Sequence, residues 1–546
     1  MTAVLPPTTW TTGSTEVFKT GTWRAALPKH VARTSPCHHA CPVNGFIADW
    51  IGHARAGDLR RAWEVLVVNN PFPAIAGRIC HHPCESACNR TGYDEAVSIC
   101  RLERAAGDAA NAAGWRYAPP TQQHDASVAV IGGGPSGLSA AYQLRRRGWR
   151  VSLYEARPQL GGLMRYGIPA YRLPRDVLDA EIERILALGI DLHCGEPLQD
   201  ADALERLRAT HAAVYVATGA ARAKSVPQFP ASAPWLMQGT EYLARCSTGD
   251  VPRLGERVVV IGGGSSAMDV ARSARRNGCR VTVLCLESRA AMPAQGDEVH
   301  EALEEGVLLC DGAMVRAVRG EGPLGLECVH VRFEPGRAGT APKITVTGED
   351  SFMLPADAVL TAIGQDADLS LFPAEAGAAG LLRVDSAQAT ALPRVWAGGD
   401  VSSMARFLSE AVGMGKRAAI DIDRTLRGEQ PAPAAPVSTP GLGEIATWYY
   451  PHGRRPPERR LGVEERLASG AEVQLAMAPA EVVAEAERCF SCGTCTSCDN
   501  CLQFCPDLAI THGPEGYAVL ADYCKGCGLC VRECPTGSML LLEEMK

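Results

Sequence analysis

Cysteines spaced C-x2-C-x2-C-x3-C-P, twice over, constrain this chain more than any other feature of its sequence. Cys495, Cys498, Cys501 and Cys505 lie in CTSCDNCLQFCP, and the pattern returns 29 residues later as Cys524, Cys527, Cys530 and Cys534 in CKGCGLCVRECP. Three thiolates so close together can grip one iron–sulfur cube, while the proline turn carries the fourth to the other cube. Cys495, Cys498, Cys501 and Cys534 are expected to hold one 4Fe-4S cluster, and Cys524, Cys527, Cys530 and Cys505 a second. Structural zinc is the competing reading, but zinc sites present separated C-x2-C pairs rather than triple runs ending in proline.

The chain holds 22 cysteines, six of them between Cys37 and Cys100 and ten between Cys489 and Cys534. The start lacks a cationic and apolar leader and no long apolar run follows, so a cytoplasmic, reducing setting is expected and the clustered thiols read as metal ligands. At the N-terminal end, SPCHHACPVN supplies Cys37 and Cys41, GRICHHPCESACNR supplies Cys80, Cys84 and Cys88, and Cys100 follows. One 4Fe-4S cluster is expected there, a second is left open, and His38, His39, His81 and His82 make zinc the alternative. Cys489 and Cys492 exceed the eight ligands of the C-terminal motifs and read as structural or free thiols.

Between the cysteine-rich ends, VAVIGGGPSGLSAAYQLRRRGWRVSLYE (128 to 155) and VVVIGGGSSAMDVARSARRNGCRVTVLCLE (258 to 287) repeat one another at an offset of 130 residues. Each predicts strand, glycine turn, helix and strand, the unit of a doubly wound α/β fold. Gly132, Gly134 and Gly137 permit the turn, the approach of a pyrophosphate and close helix packing, with Pro135 and Ser136 opening the helix and Glu155 able to accept a ribose hydroxyl. The second unit offers Gly262, Gly264, Ser265, Ser266 and Ala267, with Glu287 closing its second strand. Two such units followed by VWAGGD, which contains Gly399 and Asp400, fit FAD in the first and a nicotinamide nucleotide in the second. Gly162 and Gly219 join the expected FAD contacts. A carboxylate at Glu287 pairs with a free 2'-hydroxyl and repels a 2'-phosphate, so NAD(H) is favoured over NADP(H), although Arg289 stands two residues on.

A multidomain α/β chain is therefore expected. It comprises an N-terminal helical 4Fe-4S domain (1–120) entered by an extended arm, an FAD-binding domain in two parts (125–255 and 366–427), and an NAD(H)-binding domain (256–365). A proline- and alanine-rich linker (428–486) leads to a two-cluster α+β ferredoxin domain (487–546). Residues 46 to 68 have helical periodicity. The net charge of -7, without a basic face, excludes a nucleic-acid partner, and the absence of long apolar runs excludes a membrane span.

Residues from about 35 to 425 resemble the small subunit of glutamate synthase and the matching half of dihydropyrimidine dehydrogenase. The resemblance rests on CPVNGFIADW, NNPFPAIAGRICHHPCESAC, GGLMRYGIPAYRLP, GGGSSAMDVAR, AMPA and AGGDV. It implies a cluster close to FAD held by Cys41, Cys80, Cys84 and the side-chain oxygen of Glu103. Cys37 and Cys88 match ligands of a second cluster, but Lys29 and Ala32 stand where its C-x2-C pair would be, so Cys100 or a histidine would have to compensate. The fused ferredoxin looks like the nicotinamide-linked electron-transfer subunit of 2-oxoacid:acceptor oxidoreductases of the phenylglyoxylate dehydrogenase type.

The expected function is electron transfer between NAD(H), FAD and 4Fe-4S clusters on behalf of a catalytic partner subunit, such as a thiamine-diphosphate-dependent 2-oxoacid oxidoreductase, or of ferredoxin-like carriers. The alternatives are a glutamate synthase small subunit or related autonomous reductase, and a docking scaffold with idle nucleotide folds. A thiol-based reductase needs a vicinal C-x2-C near the flavin, and residues 256 to 365 contain none.

Overall fold

The computed structural model describes residues 24–544 apart from 199, 231, 321–323, 337–341, 431–436 and 515. Residues 1–23 of the expected arm and 431–436 of the expected linker lie outside the described residues.

The first cysteine domain is helical. The periodic run from 46 to 68 forms two helices, Ile47–Arg55 and Leu59–Leu66, because Gly57 takes a left-handed φ of 77° and Asp58 caps the second helix by accepting from Arg61 N at 2.8 Å. Their inward faces bury Trp50, Ile51, Trp63 and Leu66. Helices Pro73–Ile79 and Ile99–Ala112 cross at two glycines: a Cβ on Gly77 would strike the backbone of Arg104, and one on Gly107 the backbone of Ala74. That close crossing fixes Cys80, just past the first helix, against Glu103 on the second.

Each glycine repeat builds a five-stranded parallel sheet, whose buried strands are apolar as a sheet covered on both faces requires. The first orders Val395–Ala397, Ala213–Val216, Ser127–Ile131, Arg150–Glu155 and Asp191–Cys194. The second orders Leu308–Cys310, Arg280–Leu284, Arg257–Ile261, Ala358–Thr361 and Leu236–Gln238. Leu236–Gln238 thus joins the second sheet ahead of the boundary expected at 256. A three-stranded antiparallel sheet, Ala313–Arg319, Leu324–Glu334 and Lys343–Ala356, covers one side of that domain. Tyr171 and Arg172, from the GIPAYRLP stretch, clamp the two domains together: Arg172 donates to Asp269 at 2.7 Å and lies 2.6 Å from Glu298, while the Arg276 guanidinium sits 3.8 Å from the Tyr171 ring.

The ends of the chain pair with each other. Strand Ala26–His30 runs antiparallel to Met539–Glu543, so the described part of the arm is an edge of the ferredoxin domain. The stretch after 441 is a strap packed across the other domains. Arg78 Nε bonds Glu472 at 2.8 Å, Arg466 bonds Glu304 at 2.7 Å, and Val473 N donates to Tyr171 O at 2.9 Å. Helix Pro479–Glu487 then docks Val482 and Ala486 into the core of the N-terminal domain, where buried Glu485 accepts from Ser98 N at 2.6 Å. Among the described residues no helix is long and apolar enough to cross a membrane.

Candidate functional site

A cavity of about 730 Å³ opens at the C-terminal ends of the first sheet's strands. Such a cleft at a strand-to-helix glycine turn is where a doubly wound sheet takes a dinucleotide. Gly132, Gly134, Pro135, Ser136, Glu155, Gly162, Gly219, Gly399 and Asp400 all line it. Gly137 stands behind it, where a Cβ would collide with the Gly132 carbonyl, so this glycine serves helix packing. Glu155 accepts from Gly133 N at 2.7 Å and from Arg157 N at 2.8 Å, which aims its carboxylate at the turn. Burial pushes the Asp400 carboxyl up, against the pull of Arg406. Gln238, Thr240, Glu241 and Gln365 complete the rim from around the second domain; no motif marks them in the sequence. The glycine cradle and its carboxylate fit FAD.

The second unit repeats this geometry. Gly132 N donates to Tyr154 O at 2.8 Å and Gly262 N to Leu284 O at 2.9 Å; Gly161 N donates to Gly133 O at 2.8 Å and Ala294 N, in AMPA, to Gly263 O at 3.1 Å. A Cβ on Gly133 would lie 3.1 Å from Glu155 Oε2, and one on Gly263 2.9 Å from Glu287 Oε2, so Glu287 stands where Glu155 stands in the flavin domain. Gly264 opens helix Ser265–Arg276, Ser265 is half-buried, Ser266 is exposed, and Ala267 packs inward in place of a third glycine. Exposed Arg289 has its backbone N–H bound to Asp311 at 2.7 Å.

Cys41, Cys80, Cys84 and Glu103 share one enclosed pocket with Cys100. The Cys100 thiol holds Cys80 well below the usual thiol range and in turn touches Cys84. Burial, then the nearby Cys80, pushes the Glu103 carboxyl up to about 8, and Asn70 Nδ2 donates to it at 2.7 Å. Cys100 therefore belongs to the Cys41 pocket and does not compensate for ligands missing beside Cys37 and Cys88. His38 Nδ1 accepts from Phe46 N at 3.1 Å, His39 is exposed, and His81 stacks on Phe407 at 3.8 Å while its side chain bonds the Cys80 thiol. His82, Glu85 and Cys100 bring ligand atoms within 4.8 Å of one another, but Glu85 is already held by Arg455 at 2.6 Å and by Cys100 N at 2.9 Å. This thiol-rich, carboxylate-completed set fits an iron–sulfur cluster better than zinc.

Helix Leu408–Leu426 separates that pocket from the flavin cavity. Leu408, Ser409 and Val412 line the cysteine pocket, and Ala411 the flavin cavity. Glycines bring the helix close on both sides, since a Cβ on Gly415 would strike the Ser136 carbonyl and one on Gly413 the Pro42 carbonyl. Lys416 Nζ donates to Val43 O at 2.8 Å, tying the loop after Cys41 to the same helix, and burial lowers its ammonium to about 8.

In the ferredoxin domain Cys505 lines one pocket with Cys524, Cys527 and Cys530, across the duplication. Burial pushes Cys501 up to about 12, with Cys534, Cys495 and Cys498 adding to the rise. Cys505 thus lies with Cys524, Cys527 and Cys530, and Cys534 with Cys495, Cys498 and Cys501, so each triple is joined by the last cysteine of the other motif. The sulfurs of Cys505 and Cys534 accept equivalent backbone N–H bonds, from Ala509 at 3.2 Å and Ser538 at 3.3 Å. Cys489 and Cys492 stand outside both sets and meet Cys37 and Cys88 in a further pocket. That grouping crosses the whole chain, and its one sequence signal was the C-x2-C spacing of Cys489 and Cys492.

Compared with known proteins, residues 126–415 match the family described as pyridine nucleotide-disulphide oxidoreductase, residues 30–115 dihydropyrimidine dehydrogenase domain II, 4Fe-4S cluster, and residues 494–538 the 4Fe-4S dicluster domain. The NADP(+)-dependent formate dehydrogenase subunit beta of Moorella thermoacetica is 35% identical over 84% of this chain and 70% of its own length. The NADPH-Fe(3+) oxidoreductase subunit beta of Geobacter sulfurreducens is 32% identical over 84% of this chain and 75% of its own. The NAD-dependent dihydropyrimidine dehydrogenase subunit PreT of Escherichia coli is 32% identical over 72% of this chain and 92% of its own. The chain belongs to the pyridine nucleotide-disulphide oxidoreductase family, as an NAD(P)H-dependent oxidoreductase with 4Fe-4S domains at both ends.

Proposed function

We propose that the chain is the electron-transfer subunit of a redox complex, passing electrons between NAD(H) and a catalytic partner through FAD, a cluster at Cys41, Cys80, Cys84 and Glu103, and two ferredoxin clusters. The observation that carries this reading is the shared wall: one helix, Leu408–Leu426, lines both the flavin cavity and the pocket of Cys41, Cys80 and Cys84. When bound, a flavin links the two-electron chemistry of a nicotinamide to the one-electron chemistry of a cluster. The protein's part is to orient the nucleotides on the turns at Gly132 and Gly262, keep the wall dry with Val412, and hold the cluster thiols under N–H donors.

NAD(H) is preferred in this proposal because Glu287 lies against Gly263 as Glu155 lies against Gly133, and a carboxylate there can accept from a free ribose 2'-hydroxyl; the relatives' names divide between NAD and NADP. A partner subunit is supported by those names, each of which describes a subunit. A 2-oxoacid oxidoreductase is the partner class proposed here, and a cytoplasmic location goes with thiolate ligands that need a reducing compartment. Anaerobic purification from the native cell, with every co-purifying chain identified, tests the proposal. A catalytic subunit in fixed ratio is expected. Turnover of an organic substrate with NAD by this chain alone would contradict it, and bound FAD that NADH fails to bleach would favour a docking scaffold.

A further inference from the structure

Four thiols left unused by the proposed function meet where the two ends of the chain join. Cys37, Cys88, Cys489 and Cys492 line one pocket, walled by Ile51 and Phe490. They arrive from separate elements: Cys37 from the short helix Pro36–Ala40, Cys88 from the turn after Pro83–Ser86, and the other two from the end of docked helix Pro479–Glu487.

The turn carrying Cys489 and Cys492 copies the two ferredoxin turns in its backbone. The residue before the second cysteine is left-handed in all three, with φ of 50° at Ser491, 53° at Ser497 and 71° at Gly526. So is the residue after it, at 75° for Gly493, 62° for Asp499 and 76° for Gly528. Ser491 N donates to Cys489 Sγ at 3.4 Å, as Gly526 N does to Cys524 Sγ at 3.4 Å. Asn89 Nδ2 lies 3.5 Å from Cys492 Sγ and Ser35 Oγ 3.2 Å from Cys37 Sγ, so further donors face the sulfurs. Two residues at positive φ on either side of one cysteine, the first of them a serine at Ser491, are uncommon enough to ask for a purpose, and wrapping a C-x2-C pair around a cluster supplies one.

We infer that Cys37, Cys88, Cys489 and Cys492 hold a fourth 4Fe-4S cluster, ligated jointly by the two ends of the chain. The inference deepens the proposed function and rests on it. Lys29 and Ala32, where the N-terminal domain offers no thiols, lie on the segment whose Arg33 N donates to Gly493 O at 3.0 Å, so the far end of the chain delivers its pair to the place where the near end lacks one. The site also falls on the electron route. Cys84 and Cys88, like Cys492 and Cys495, are joined by only three or four residue steps, which span at most roughly 10 to 14 Å of chain. A cluster here accepts one electron and releases one, with no bond to the protein made or broken, and it joins the Cys41 pocket to the ferredoxin pair.

The test is the full-length Cys489→Ser, Cys492→Ser double variant, isolated anaerobically and compared with the unaltered chain for iron, acid-labile sulfide, FAD and the paramagnetic signals of the reduced clusters. About four irons fewer per chain are expected, with one cluster signal lost and flavin retained. The ferredoxin signals should still appear with dithionite but no longer with NADH. Cys37→Ser, at the opposite end of the chain, should remove the same signal, which a local fault in the 489–492 turn would not explain. An iron count unchanged in both variants, or zinc in this site beside iron in the others, overturns the inference and leaves the proposed function standing. A chain without iron anywhere overturns both.

Discussion

Ala411 and Val412, successive residues of one helix, face different cavities: Ala411 lines the flavin cavity and Val412 the pocket of Cys41, Cys80 and Cys84. A single helix therefore stands between the two cavities, and Val412, 1% exposed, keeps water out of the wall between them. Gly413 and Gly415 explain how the helix comes so close to both, since neither position has room for a side chain.

The pocket beyond Val412 contains one donor more than a cluster needs. If Glu103 is the fourth ligand, Glu103→Ala should lose about four irons per chain and one cluster signal, whereas Cys100→Ser should keep both. Iron analysis of the two variants decides between the carboxylate and the thiol, and the opposite pattern would make Cys100 the ligand.

Coenzyme choice should follow Glu287. A hydrogen bond from a ribose hydroxyl to a carboxylate contributes about 1.5–3 kcal/mol, so Glu287→Arg should lower kcat/KM for NADH roughly ten- to hundredfold while raising it for NADPH. Steady-state flavin reduction with each coenzyme measures this. An unchanged preference would remove Glu287 from the nucleotide site.

The clamp between the nucleotide domains should be sensitive to loss of one partner. Asp269 is buried and bonded to Arg172, so Arg172→Met removes its bonded partner and leaves only the more distant Arg272 to offset its charge, at a cost of about 3 kcal/mol. The denaturation midpoint should fall, and Asp269→Asn in the same chain should restore part of it. A midpoint insensitive to Arg172→Met would show that the clamp does not hold the domains.

Glu181 gives the fold a pH dependence. Its fully buried carboxylate accepts from Ala74 N at 2.9 Å and Ile75 N at 3.0 Å, yet burial pushes it up to about 7. The folded chain then binds a proton more readily than the unfolded one, so stability from this group is present below about 4.5 and declines as pH rises to about 7, by about 3 kcal/mol in all. Glu181→Gln, which stays neutral, should gain on the unaltered chain over that window. Parallel melting curves from pH 5 to pH 7.5 check the sign, since a constant gap between the two would contradict it.

Local spacing made much of this architecture legible. The exchanged grouping of the ferredoxin-domain cysteines follows from the C-x2-C-x2-C-x3-C-P duplication, and the paired nucleotide sheets follow from the glycine turns at Gly132 and Gly262. Contacts between distant segments were not legible. Nothing in ALPKH marks it as a partner of the last strand, and the proline-rich composition that suggests a loose linker does not disclose Glu472 between Arg78 and Arg104. The grouping of Cys489 and Cys492 with Cys37 depends on where helix Pro479–Glu487 docks, which its own amphipathic pattern cannot specify. The division of residues 46 to 68 was carried by Gly57 and Asp58, a glycine and a capping residue that helical periodicity alone passes over.

Mixing the anaerobic chain with NADH and following flavin absorbance together with the paramagnetic signals of reduced clusters shows whether electrons from the nicotinamide reach the clusters through the flavin. Bleaching of the flavin followed by the cluster signals, with iron and acid-labile sulfide present in equal amounts, is the expected result. Flavin bleaching with every cluster left oxidised, or zinc in place of iron, would contradict an electron path from the flavin to iron–sulfur clusters in this chain.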